Sequence, residues 1–360
     1  MTATTALARA GSNPQDHLSG KDIARALVAG DKGLLAIDES ITTCNKRFAR
    51  LGITQDEATR LAYRGMILTT PGLPEAINGV ILYDETIRQH TRDGVPFLTV
   101  LAEAGIIAGI KVDRGAPAMA GHPREKVTEG LDGLRERLAE YAVMGARFAK
   151  WRAVLTISSD TPGASTPSRA CIEANAHALA RYAALCQEAG LVPIVEPEVL
   201  MTGDHSLSRC GDVTEQVLHE VFAQLHTQGV ELEAMILKPN MILPGSTCPT
   251  QESAQGVAEA TISCLRRVVP AAVAGIAFLS GGQSGDLASC HLNAINTDQS
   301  LLPWPVAFAF GRAIQQPALT IWGGQEANVA DAQSALLQRA AANQKARRGG
   351  YLRSLSTHRA

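Results

Sequence analysis

Three of the eight lysines in this chain, Lys111, Lys150 and Lys238, stand at the ends of short apolar runs. Arginine is the default cation elsewhere, since lysine supplies only eight of 33 basic residues. A buried or crowded lysine can lose its proton and become an amine nucleophile, whereas arginine stays charged. Carboxylates end neighbouring runs at Asp38, Asp113, Glu196 and Glu198. Brought to one place, the lysines would depress one another's pKa, while the acids balance charge and shuttle protons. Any one lysine could instead close a structural ion pair. The set of three beside carboxylates points to a Schiff base with a carbonyl substrate. Lys238 is the best-placed nucleophile, because Ala234–Leu237 desolvates it and Pro239 breaks the run just beyond.

Two further features suit an anionic substrate. Ser280-Gly281-Gly282 closes a later apolar run, and its backbone N–H groups could wrap a phosphate. Arg312 follows Gly311 at the end of the last run and could clamp the same anion.

These groups need a scaffold that gathers distant strand ends. Apolar runs fall at 33–38, 79–83, 106–112, 147–152, 191–196, 234–239, 275–281 and 306–311, continuous rather than alternating, as in buried parallel strands. Segments with helical spacing separate them, among them 128–144, 168–189, 212–227 and 251–269. This beat predicts an α/β fold, a single-domain (β/α)8 TIM barrel, in which the C-terminal strand ends converge on one mouth. A doubly wound sheet competes, but Asp38-Glu39-Ser40-Ile41 after the first run is not a Gly-rich phosphate fingerprint. The expected organisation is a flexible lead-in over 1–20, the barrel over 21–324, and a final helix with a mobile tail over 325–360, the helix covering 325–345.

Composition sets the outer bounds. The 360 residues are 46% hydrophobic and 19% charged, with a net charge of −2. A dedicated nucleic-acid binder would carry a basic surface, so no nucleic-acid partner is expected. No apolar run of membrane-spanning length occurs, and the N-terminal stretch lacks the apolar core of a secretory signal. Seven cysteines, an odd number without a Cys-x-x-Cys, read as reduced thiols of a cytoplasmic protein.

The stretches GLLAIDES (33–40), GVILYDET (79–86), GIKVD (109–113), FAKWR (148–152), VPIVEPE (192–198), LKPNMILPG (237–245), GIAFLSGGQS (275–284), LNAIN (292–296) and FGRAIQ (310–315) together resemble class I, Schiff-base-forming fructose-1,6-bisphosphate aldolases. The resemblance runs in family order over most of the chain. It implies that Lys238 is the Schiff-base lysine, Glu196 the acid/base residue, Lys150 an aid to iminium formation and Asp38 the aspartate beside the imine. It further implies that Ser280, Gly281, Gly282, Gly311 and Arg312 hold the ketose-side phosphate. Lys46, Arg47, Lys111, Arg152 and Glu198 fall where the family holds the sugar chain and the other phosphate, with Ser40 and Thr43 at that same end. The implied reaction is reversible cleavage of fructose 1,6-bisphosphate to dihydroxyacetone phosphate and glyceraldehyde 3-phosphate, in glycolysis or gluconeogenesis, by a cytoplasmic homotetramer. Neither metal nor cofactor is implied, because the iminium does the work of a Lewis acid.

One departure concerns the tail. Vertebrate members end in a tyrosine that assists proton exchange, whereas this chain ends Ser356-Thr357-His358-Arg359-Ala360 and its last tyrosine is Tyr351. Either Tyr351 or His358 substitutes, or that step is slower. Among rivals, LSGGQ (279–283) is also the signature of ABC-transporter ATPases, but no phosphate loop of the Gly-x-x-x-x-Gly-Lys type accompanies it. A zinc-dependent aldolase needs clustered histidines, and His219 and His226 read as a helix surface. Transaldolase and deoxyribose-phosphate aldolase would lack the paired LSGGQS and FGRAIQ segments. A non-catalytic binding protein on the same scaffold would have no need of Asp38, Lys150, Glu196 and Lys238 together.

Overall fold

A computed structural model describes residues 18–158, 166–297 and 302–352. Eight parallel strands close into a barrel in sequence order. They are β1 (Gly33–Ala36), β2 (Ile77–Leu82), β3 (Ile107–Lys111), β4 (Phe148–Leu155), β5 (Val192–Val199), β6 (Ile236–Leu237), β7 (Gly275–Phe278) and β8 (Val306–Phe310). The expected (β/α)8 barrel is the observed fold.

Two packing layers explain the continuous apolar runs. Side chains facing inward, including Leu34, Ile81, Ile107, Phe148, Val192, Ile194 and Ile236, fill the barrel itself. Their neighbours along each strand pack outward against the helical shell. Helix Gly20–Leu27 plugs the N-terminal end, burying Ile23, Ala24 and Leu27 in the inner layer. Ser19 caps this helix through Asp22, so residues 19 and 20 belong to an ordered element. Strand glycines make room for the filling: a Cβ on Gly275 would meet Val28 Cγ2 at 2.6 Å, and one on Gly109 would meet the Phe148 ring at 2.2 Å. The open C-terminal end is left as a mouth.

Several boundaries differ from expectation, each for a local reason. The helix expected from Thr128 begins at Leu134, because Gly130 and Gly133 take left-handed φ values of 126° and 63°. The helix expected from Asp212 starts at Leu207, where Ser206 accepts a hydrogen bond from the Arg209 N–H. The final helix runs Val329–Arg347 after a 3₁₀ turn at Glu326–Asn328. β4 and β5 continue past Arg152 and Glu196 to Leu155 and Val199, joined by the longest ladder in the barrel. Charged residues survive inside these strands because they alternate with apolar ones and face the mouth.

None of the seven cysteines forms a disulfide with another. Among the described residues, no helix is long and apolar enough to cross a membrane.

Candidate active site

The mouth is a cavity of about 1070 Å³. Every candidate residue lines it: Asp38, Ser40, Thr43, Lys46, Arg47, Lys111, Lys150, Arg152, Glu196, Glu198, Lys238, Ser280, Gly281, Gly282, Gly311 and Arg312. Strand periodicity and register bring them together. Lys150 and Arg152 share one face of β4, and Glu196 and Glu198 share one face of β5. Lys111 pairs in register with Lys150, and Arg152 with Glu196. The Lys238 N–H donates to Val195 C=O at 2.8 Å, which sets Lys238 beside Glu196.

Four of these side chains form a buried chain of charge. Lys238 Nζ lies 2.9 Å from Glu196 Oε1, Lys150 Nζ lies 3.2 Å from Glu196 Oε2, and Lys150 Nζ lies 2.7 Å from Asp38 Oδ2. Burial pushes the Asp38 carboxyl up, but Lys150, Lys238 and Lys111 outweigh it and hold the group at about 2. Burial likewise raises Glu196, and Lys150, Lys238 and Arg152 bring it below its ordinary value. Lys150 corrects the expectation that crowded lysines lower one another. Burial favours its neutral form, yet Asp38 and Glu196 beside it raise the pKa well above the usual lysine value. It is a fixed ammonium. Glu196 Oε2 is buried and accepts no aligned hydrogen bond among the described residues, so its 3.2 Å ion pair with Lys150 is held by charge.

At the far side, several expected anion ligands are already neutralised. Lys111 Nζ donates to Asp113 Oδ1 at 2.6 Å and to its backbone oxygen at 2.7 Å. Arg152 Nε donates to Glu198 Oε2 at 2.5 Å. Arg47 departs furthest from its expected part. Its buried guanidinium donates to Glu39 Oε1 and, at 3.0 Å, to Gln315 Oε1. The same Glu39 accepts from Arg64 at 2.9 Å and from Gln315 Nε2 at 3.0 Å, while Tyr63 Oη donates to Gln315 at 2.8 Å. Arg47, in the last turn of helix Ile41–Ala49, therefore ties that helix to Glu39 just ahead of it and to helix Arg312–Trp322. Ser40 caps the first of these through the Thr43 N–H, and its hydroxyl lies 3.1 Å from the Thr43 hydroxyl. Lys46 is exposed on the rim. Glu39, Arg64 and Gln315 were missed from sequence. An acid directly after Asp38 was the available signal, but its partners are remote in the chain.

The other end is built for an anion. Gly281 and Gly282 adopt left-handed φ values of 58° and 92°, and the Gln283 N–H donates to Ser280 C=O at 3.0 Å, closing a tight turn. The Arg312 guanidinium lies over this turn, with Nη2 3.8 Å from the position of a Cβ on Gly282. Tyr351 does not line the mouth: its hydroxyl donates to Asp286 at 3.2 Å and its N–H to Asn293 at 2.7 Å. His358 lies outside the described residues.

A buried lysine touching a carboxylate, with a second lysine beyond it and an anion turn across the cavity, suits a phosphorylated carbonyl compound. Comparison with known proteins decides the family. Residues 20–360 match the model for fructose-bisphosphate aldolase class-I. The chain belongs to that family. A probable fructose-bisphosphate aldolase class 1 of Xanthomonas campestris is 54% identical over 323 residues, covering 89% of this chain and 95% of the relative. A cytosolic fructose-bisphosphate aldolase of Arabidopsis thaliana is 49% identical over 328 residues, covering 91% and 90% of the two chains. The aldolase of Plasmodium falciparum, solved with TRAP and a small-molecule inhibitor, superposes with a TM-score of 0.90 at 45% identity, covering 93% of this chain and 95% of the other. The aldolase barrel thus extends to this chain nearly end to end, and its reaction class is aldol cleavage of fructose bisphosphate.

Proposed function

We propose that the chain cleaves fructose 1,6-bisphosphate through a Schiff base on Lys238, with Glu196, Lys150 and Asp38 as the proton-handling groups. The observation that carries this reading is the 2.9 Å contact between Lys238 Nζ and Glu196 Oε1 inside a buried chain that ends at Asp38. Passing the Lys238 proton to Glu196 frees the lone pair that attacks the C2 carbonyl. Glu196 returns a proton to the carbinolamine oxygen, water leaves, and a protonated imine remains. That cation draws the electrons of the C3–C4 bond into an enamine, while a carboxylate, Asp38 or Glu196, takes the C4 hydroxyl proton. Glyceraldehyde 3-phosphate departs. Protonation of the enamine at C3 and hydrolysis then give dihydroxyacetone phosphate and free Lys238.

Lys150 has a consistent part in this scheme. Held as an ammonium between two carboxylates, it keeps both ionised and ready to accept protons. Ser280, Gly281, Gly282, Gly311 and Arg312 would hold the ketose-side phosphate. Ser40, Thr43, Lys46, Lys111, Arg152 and Glu198 would border the aldehyde side, with Arg47 setting the shape of that wall through Glu39.

We read residues 19–324 as the catalytic barrel with the capped helix that plugs it, and 325–360 as a C-terminal helix and tail. A cytoplasmic homotetramer working in glycolysis or gluconeogenesis completes the reading, supported by family membership and by the cytosolic plant relative.

Borohydride trapping with dihydroxyacetone phosphate in excess EDTA, followed by peptide mass mapping, tests the assignment. The expected product is one reduced adduct on Lys238. An adduct on Lys150 or Lys111 would keep the chemistry and reverse the roles, and folded protein without an adduct would refute the Schiff base.

A further inference from the structure

Beneath the anion turn lies a polar contact that the scheme above does not use. Gln283, the last residue of the turn, is buried, and so is His291, two helical turns into Gly285–Asn296. Gln283 Nε2 lies 3.7 Å from Met241 Sδ, and Gln283 Oε1 lies 2.6 Å from His291 Nδ1. A thioether can only accept, so the Gln283 group facing it is the NH2 and the group facing His291 is the oxygen. His291 Nδ1 therefore carries the proton and donates. Burial pushes the His291 pKa down to about 4, so the ring is neutral near pH 7.

The geometry ties together two segments that must keep a fixed separation. Met241 stands three residues after Lys238 on the irregular segment that follows β6. That segment is anchored on its other side by Asn240, whose Oδ1 accepts the Val199 N–H at 3.0 Å. The Leu279 N–H donates to Pro239 C=O at 3.1 Å, so backbone and side chain both bridge the two segments. Gly281 and Gly282 bring no side chains to hold the turn in place. Gln283 is its side-chain anchor, and His291 fixes the rotamer of that anchor.

We propose that His291 is a positioning residue: through Gln283 and Met241 it sets the distance and orientation of the Ser280–Gly282 amides relative to Lys238, and thereby the grip on a phosphate carried by the ketone substrate. It touches neither substrate nor reacting atoms. The proposal rests on the Lys238 Schiff-base reading only for its kinetic arm.

The test uses the full chain with His291→Phe, which fills the space and removes the donor, and His291→Asn, whose amide NH2 can replace Nδ1–H. Loss of one buried hydrogen bond predicts a KM for fructose 1,6-bisphosphate about tenfold higher in H291F, with kcat within about threefold of wild type. H291N should recover most of that loss. Independently of activity, exchange of the hydrogen-bonded amides that frame the turn, Leu279 and Gln283, should quicken about tenfold in H291F while strand amides stay protected. A folded H291F with unchanged KM and unchanged local exchange would overturn the proposal, as would a fall in kcat that H291N does not rescue. If H291F does not fold, Gln283→Met removes the same contacts at similar volume and should show the same rise in KM and exchange; wild-type values there would overturn the proposal equally. A wild-type enzyme inactive on fructose 1,6-bisphosphate would refute the functional reading and leave the exchange measurement to decide the brace.

Discussion

Lys150 Nζ sits 2.7 Å from Asp38 Oδ2 with both side chains largely withdrawn from solvent, and each fixes the ionisation of the other. A lysine alone at this depth would shed its proton, and an aspartate alone would keep one. Together, with Glu196 completing the set, they form a charged cluster whose members are ionised across the neutral range. Lys150 thus has two carboxylate neighbours, whereas Lys238, at the end of this chain of contacts, has one, Glu196 at 2.9 Å.

The cluster makes stability depend on acid pH in a definite direction. Asp38 titrates ordinarily at 3.8 and is held at about 2 in the fold, so its stabilising share is present above its ordinary value and is lost as pH falls through the folded one. That difference corresponds to about 2 kcal/mol. Lys150 is shifted upward, so its share is present below the ordinary lysine value of 10.5 and is lost only in strong alkali. Asp38→Asn should therefore flatten the fall in stability between the ordinary and folded values of Asp38, measured as urea midpoints across that pH range. A slope as steep as wild type would show that Asp38 does not carry this linkage.

Arg47 offers a sharper contrast between two parts an arginine beside the mouth could play. Its guanidinium is committed to Glu39 and Gln315 within a buried network that includes Arg64. Removing one partner of a buried ion pair costs about 3 kcal/mol where the other charge is stranded, and less where, as for Glu39, a second arginine, Arg64, stays beside it. Arg47→Ala should lower the unfolding free energy by about 1–3 kcal/mol and with it the denaturation midpoint, and Glu39→Gln should lower it by about 3 kcal/mol, with a double mutant losing less than the sum. A direct phosphate ligand would behave differently: R47A would raise KM and leave the midpoint in place.

The barrel was legible because parallel strands buried on both faces leave continuous apolar runs, and the charges that interrupt those runs mark the mouth. Lys238, Glu196, Lys150 and Asp38 stood out for that reason. Features set by a single residue's backbone or by remote partners were not legible. Gly130 and Gly133 delay a helix whose apolar spacing begins earlier, and Ser206 starts one ahead of its apolar stripe. The pairing of Arg47 with Glu39 depends on Gln315, 276 positions from Glu39, so nothing local distinguishes a structural arginine from a ligand there. The pKa of Lys150 went opposite to expectation for a related reason: counting lysines at strand ends does not reveal that its nearest charges are the two carboxylates.

Gly109 shows how closely the filling of the barrel governs the site above it. It pairs in register with Phe148, and a Cβ there would stand 2.2 Å from the Phe148 ring. The ring is fully buried among the inner-layer side chains and has no room to withdraw. Phe148 and Lys150 share one face of β4, so any shift that relieves the clash moves the Lys150 ammonium relative to Asp38 and Glu196. Gly109→Ala should cost about 1–3 kcal/mol in a urea titration and should also lower kcat, since the charged chain is displaced with the strand. Adding Phe148→Leu should restore part of both losses, because the smaller side chain frees the space the methyl group needs. Wild-type stability in G109A would mean that the barrel interior is looser than this packing describes, and a stable but inactive double mutant would separate the position of Lys150 from the filling beneath it.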